Sequence, residues 1–164
     1  MAMLGRVVAS LVQVGVLSAW LGAAALLAMN VAPALFAVLP SRTLAGAVVG
    51  RILPVVFYAG IAAGLMLIGL QLAQGRGWTW RAREIAGVVM IAACGVAQFV
   101  ISPRIARLRE AIGRPLEELA VGDPQRAAFG RLHGVSVAWL GLAMLAAAVA
   151  LVVAARAAST DAAR

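Results

Sequence analysis

The chain has 164 residues, of which 64% are hydrophobic and only 12% charged, and its mean hydropathy is +1.01. A soluble domain is about 45–50% apolar and about 25% charged, so this composition excludes an ordinary water-soluble globule and points to lipid as the solvent. The net charge of +8 comes from arginine alone; the arginines lie between long uncharged stretches, without interleaved stacking aromatics, which fits membrane anchoring and excludes nucleic acid as the partner.

Four uncharged intervals divide the chain, at 7–41, 52–75, 85–103 and 134–155. A membrane span takes about 20 mostly apolar residues. Each span must be helical, because backbone in hydrocarbon has to satisfy its own hydrogen bonds. The expected fold is therefore all-α: one integral membrane domain over residues 1–164, a four-helix bundle running up-down-up-down, with spans at about 7–31, 52–74, 85–103 and 134–155.

In chain order, the first apolar run begins after Arg6. It is much longer than the roughly 7–15 residues of a signal-peptide core, so it is kept as a helix. Pro33 has no N–H for the carbonyl of Met29, which predicts a kink or helix end there. Ser41 is the expected N-cap of the second helix. That helix carries Gly46 and Gly50, then Gly60 and Gly64, two small-residue pairs at four-residue spacing that are expected to let a neighbouring helix pack closely.

The third helix is expected to continue past Pro103 as an amphipathic extension ending near Gly113, since Ile101, Ile105, Leu108 and Ile112 form a helical stripe. Residues 104–133 thus form an amphipathic connection outside the lipid. Asp123 before Pro124 predicts an N-cap and a first helical residue that needs no N–H. The last helix, from Pro124 to about Ala155, is then roughly 48 Å long, more than the ~30 Å hydrocarbon core, and both the third and fourth helices project from the membrane. Six arginines fall on the side of the termini and the 76–84 loop and eight on the other, within 32–51 and 104–133. Positive-inside counting predicts that the second set is cytoplasmic, in a multi-pass protein of a bacterial inner membrane.

No Asp or Glu lies inside any span, and no paired carboxylates or Ser–His–Asp set can be drawn, so no enzyme activity is expected. The antiparallel order brings Asn30, Tyr58, Gln98, Ser102, His133 and Ser136 into the half of the bundle facing the arginine-rich loops. There they could line a polar pocket for a small solute, an anion or a soft metal, or bond one another across helices. The single cysteine, Cys94, and the single histidine, His133, are the only candidates for a metal ligand pair. Their expected depths differ by two or more turns, so no metal is assigned and no cofactor is expected.

Several motifs occur in a set order: "LSAWLG" (17–22), "APALFAVLP" (32–40), "AGAVVGRILPVVFY" (45–58), "SPR" (102–104) and "FGRLHGVSV" (129–137). Together they resemble the transmembrane protein 205-like family of small four-helix membrane proteins, over about residues 10–150. The family includes the human cisplatin-resistance-associated protein and many bacterial members of unassigned function. By that resemblance Trp20, Gly22, Pro33, Phe36, Pro40, Gly46, Pro54, Tyr58, Pro103, Arg104, His133, Gly134 and Ser136 hold characteristic positions. One departure is Leu140, where similar proteins often place an asparagine. The resemblance implies a role in export or tolerance of toxic solutes. The expected function is handling or exporting a toxic solute or soft metal species; the alternative is a non-catalytic accessory subunit packed against a larger membrane complex. The expected partners are the lipid bilayer and either further copies of the chain or that complex.

Overall fold

The computed structural model describes the backbone over residues 2–74 and 80–162 and side-chain environments over 5–73 and 81–160. Arg76 and Arg164, two of the charges counted toward topology, lie outside the described residues. Helix α1 (Ala2–Leu26) passes through a π-helical turn at Leu27–Val31 into α2 (Ala32–Val38). Helix α3 (Arg42–Gln74) returns. Helix α4 (Trp80–Gly95) runs through a second π turn at Val96–Ile101 into α5 (Ser102–Ile112), and a 3₁₀ turn at Leu116–Glu118 leads to α6 (Pro124–Ala162). Four continuous rods result, Gly5–Val38, Arg42–Ala73, Arg81–Ile112 and Pro124–Thr160, each long and apolar enough to cross a membrane. The protein is an all-α four-helix bundle built for lipid.

The helix boundaries have local chemical causes. Ser41 Oγ accepts from the amide of Leu44 at 3.1 Å, and Asp123 Oδ1 from that of Gln125 at 2.8 Å. Both satisfy amide groups left over in a first helical turn. Gly113 adopts φ 63° and ends α5, with its N–H on the carbonyl of Arg109, the left-handed stop that glycine makes without a Cβ penalty. At Pro33 the helix does not end but runs on through a π turn. The π turn before it closes with the Ala32 N–H on Leu27 O, and the same device precedes Pro103, where the Ser102 N–H bonds Ala97 O. Widening the turn accommodates the missing proline donor without ending the rod.

The rods pack as a ring: α1 against α3, α3 against α4, α4 against α6, and α6 against α1. In lipid no solvent-driven collapse holds helices together, so close van der Waals approach has to do it. On α6 the buried residues Ala143, Ala147, Ala150 and Ala154 form a ladder of small side chains on the rod that packs against both α1 and α4. Gly60 and Gly64 do the same for α3: a Cβ at Gly60 would stand 2.6 Å from Cys94 Sγ, and one at Gly64 would stand 2.6 Å from Ile91 Cγ1. Trp20 ties α1 to α3 by donating its indole N–H to Val56 O at 2.9 Å. Val8, Leu65, Val88, Leu145 and Val152 point outward, the apolar exterior that a bilayer requires.

Two polar features depart from a purely apolar interior. Arg83, expected in the loop between the second and third spans, is instead buried, and donates from Nη1 to Gln13 Oε1 at 3.0 Å. Gln71 and Ser10 are buried too, and their chain positions place them at the same end of the bundle as Arg83. The other end, where α3 starts and α5 stops, holds a cavity.

Candidate functional site

The cavity has a volume of about 660 Å³ and lies between α3, α5 and α6 at the arginine-rich end. Its α3 wall is the face bearing Gly46, Gly50, Leu53, Pro54 and Phe57. Pro54 has no N–H to offer the Gly50 carbonyl, so the proline interrupts the helical hydrogen bonding on the face that borders the cavity. The α5 wall brings Ser102, Ile105, Ala106 and Arg109, which recur at helical spacing along one face. The α6 wall brings Arg126, Phe129, His133, Ser136 and Leu140.

A stack of three side chains organises the opening. Phe129 and His133 sit one turn apart on α6, with parallel rings (3° between planes) and centroids 6.4 Å apart. The Arg109 guanidinium lies over the Phe129 ring, 5.2 Å from its centroid, within the range of a cation–π contact. Arg109 Nη1 also donates to the carbonyl of Gly46 at 3.3 Å. A Cβ at Gly46 would stand 2.8 Å from Arg109 Nη2. The Gly46 and Gly50 face, expected to receive a neighbouring helix, therefore receives a side chain instead. Its small residues make room for a guanidinium.

The floor near the chain turns is knitted by Thr43, whose hydroxyl donates to Glu117 Oε2 at 2.8 Å and accepts from the Leu116 amide at 3.2 Å. Arg126 Nη1 donates to Leu119 O at 3.0 Å. Hydrogen bonds from its own backbone N–H, and then from the hydroxyls of Thr43 and Ser41, hold the Glu117 carboxyl below the usual carboxylate range. A carboxyl whose pKa is depressed by folding contributes stability at neutral pH that is lost as pH falls through its folded-state value. Glu117→Gln should thus melt below wild type at neutral pH, with the gap closing as the pH falls below the usual carboxylate range. A gap that stays constant across that range would show that the ionised acceptor does not hold the 116–118 turn.

Of the six polar residues expected to meet in this half, the structure brings Ser102, His133 and Ser136 to the cavity. Asn30 and Tyr58 are exposed on the outside of the bundle, Tyr58 in an edge contact with Phe99 at 5.9 Å. Gln98 is half-buried and away from the lining, its Oε1 without a hydrogen-bond partner among the described residues. Cys94 is fully buried against Gly60, outside the cavity that His133 lines. The two candidate metal ligands do not share a site. Among the residues of the ordered motifs, Trp20 is a buried tie between α1 and α3; Phe36, Gly46 and Pro54 line the cavity. Pro103 follows a π turn. Gly22, Pro33, Pro40, Arg104 and Gly134 are exposed.

The residues that sequence reasoning missed are Arg42, Thr43, Arg109, Glu117, Arg126 and Phe129, all at the cavity. The three arginines were counted only toward topology. The seven-residue interval from Ser102 to Arg109 was the legible sign that one guanidinium shares a face with a hydroxyl.

No curated protein and no solved structure matches the chain. A model of a domain of unknown function, DUF4149, matches residues 15–114. The match takes in the second half of α1, all of α3 and the third rod through α5, and so includes the Gly46–Arg109 contact, while α6 lies beyond it. Since it covers most of the chain, this four-helix membrane protein belongs to the DUF4149 family.

Proposed function

We propose that this protein handles a small solute at the membrane and supports its export, using the cavity at the arginine-rich end as the binding site. One observation carries the reading. A bundle whose interior is packed with Leu17, Leu67 and Met90 opens at the arginine-rich end into a cavity of about 660 Å³, within the ~300–1,000 Å³ typical of small-molecule sites. Its wall mixes hydroxyl, imidazole and guanidinium groups with aliphatic and aromatic surface, the usual composition of a site that both holds and orients a solute. The likeness to transmembrane protein 205-like proteins, with their implied role in tolerance of toxic solutes, supports the same reading. Positive-inside counting supports a cytoplasmic opening in a bacterial inner membrane.

The donor set narrows the solute. Cys94 and His133 are apart, and three arginines line the cavity with one glutamate. Such a field disfavours a bare metal cation and favours a neutral or anionic solute.

Filling the opening tests this. Ala106 lines the cavity from α5 and is otherwise exposed, so Ala106→Trp puts an indole into the space without disturbing the core. In cells lacking the native gene, wild-type protein should restore tolerance to members of a panel of toxic apolar and anionic solutes. The variant, present in the membrane at equal level, should restore none. Equal tolerance with both proteins would remove the cavity from the function.

A further inference from the structure

We propose that the cavity takes an anionic amphiphile, a phosphate or carboxylate head on a single alkyl chain, with the head at Arg109 and the chain running inward between α3 and α6. This rests on the solute-handling reading and names the chemical class of the solute.

The head group is set by Arg109. Its guanidinium is held by a backbone carbonyl on one side and an aromatic face on the other, contacts that fix its position without neutralising its charge. Among the described residues no carboxylate bonds it. The one acid in the lining, Glu117, is engaged by Thr43. The other two lining cations, Arg42 and Arg126, lie at the same end, near the starts of α3 and α6. A positioned guanidinium with most of its donor hydrogens unspent is suited to the oxygens of phosphate or carboxylate, which it can bind through two parallel hydrogen bonds. A neutral solute would leave that cation partly desolvated and unpaired, which is costly. The cavity's arginines would repel a cation.

The tail is set by the gradient of polarity along the walls. From Gly46 the α3 face continues through Leu53 to Phe57, roughly 16 Å farther along the helix. On α6, Val137 and Leu140 lie beyond the ring stack, Leu140 roughly 21 Å from Arg126. Ser102, His133 and Ser136 stand between the charged mouth and this apolar end. A solute that satisfies both ends has charge at one terminus and hydrocarbon at the other. The volume fits one chain and head of drug-like size.

The test uses the full chain in a neutral detergent, with native mass spectrometry counting what binds. Three probes separate the contributions: dodecyl phosphate has head and tail, dodecanol the tail alone, and inorganic phosphate the head alone. Dodecyl phosphate should bind at one per chain, far more tightly than either of the others. Arg109→Gln should weaken it roughly 10- to 100-fold, as expected for loss of a charge-assisted hydrogen-bonded pair, while leaving dodecanol unaffected. Gly46→Val gives a second variant that keeps the charge but fills the place where the guanidinium lies, and it should weaken dodecyl phosphate in the same direction.

Dodecanol binding as tightly as dodecyl phosphate would overturn the proposal in favour of a plain apolar cavity. Inorganic phosphate binding as tightly would overturn it in favour of a free-anion site. Absence of binding by all three would overturn it as well, as would dodecyl phosphate binding that neither variant weakens. None of these results bears on whether the cavity handles some other solute; that is read separately from tolerance in the Ala106→Trp cells.

Discussion

Gly60→Leu should leave little natively folded protein, and Gly60→Ala should melt lower than the matched variant Gly69→Ala on the same helix. The two glycines differ only in what surrounds them. A Cβ at Gly69 meets nothing within 4 Å, whereas one at Gly60 would stand 2.6 Å from Cys94 Sγ and 2.9 and 3.0 Å from two carbons of the Trp20 ring. Neither neighbour can retreat cheaply. Cys94 is fully buried, and the indole is pinned by its bond to Val56 O. Both substitutions gain up to about 1 kcal/mol of helix propensity, so the difference between them isolates the clash. Overpacking of this kind costs about 1–3 kcal/mol, and at about 2–4 °C per kcal/mol for a chain of this size the two melting temperatures should separate by several degrees. Cys94→Ala in the Gly60→Ala background removes one of the two obstructions and should restore part of the loss. Equal melting of Gly60→Ala and Gly69→Ala would mean that α1, α3 and α4 do not meet closely at Gly60.

This junction shows which parts of the architecture were legible in the residues. Four uncharged intervals become four rods because lipid offers the backbone no other partner, and that constraint leaves little room for another outcome. The caps at Ser41 and Asp123 and the stop at Gly113 are local, so their chemistry reads directly from neighbouring residues. Which face of a rod turns inward is a different matter. It depends on rotation about the helix axis, set by partners distant in sequence. Gly46 and Gly60 look alike in the chain, yet one faces a guanidinium and the other a cysteine and an indole. Arg83 and Arg81 are two residues apart near the start of the same helix, yet the first is buried and the second exposed. Asn30 and Tyr58 were expected to line a pocket in one half of the bundle but lie on its outside, because depth in the membrane follows from counting residues and azimuth does not. The α6 alanine ladder is the exception. Its spacing at 143, 147, 150 and 154 is visible in the sequence.

Gln13→Leu should destabilise the bundle by about 1.5–3 kcal/mol, and adding Arg83→Met should recover much of that loss. Gln13 is fully buried in α1 and supplies an acceptor, 3.0 Å away, to the buried Arg83 of α4. A hydrogen bond to a charged group is worth about 1.5–3 kcal/mol, and removing the acceptor alone leaves the guanidinium desolvated without it. Replacing both groups by apolar side chains removes the buried charge together with this acceptor, an exchange that is often nearly neutral in a buried site. The interaction energy from the double-mutant cycle, read from thermal melting in one detergent, should therefore be favourable by more than about 1 kcal/mol. Strict additivity would show that the pair is not coupled. The outcome bears on more than stability. Among the described residues, Ser10 Oγ, Gln13 Nε2 and Gln71 Nε2 are buried at this same end without a hydrogen-bond partner. An apolar swap that stabilises the fold yet abolishes solute tolerance would give this polar layer a part in release at the face opposite the cavity. A swap that stabilises and leaves tolerance intact would make Arg83 and Gln13 a structural tie between two helices that otherwise scarcely touch.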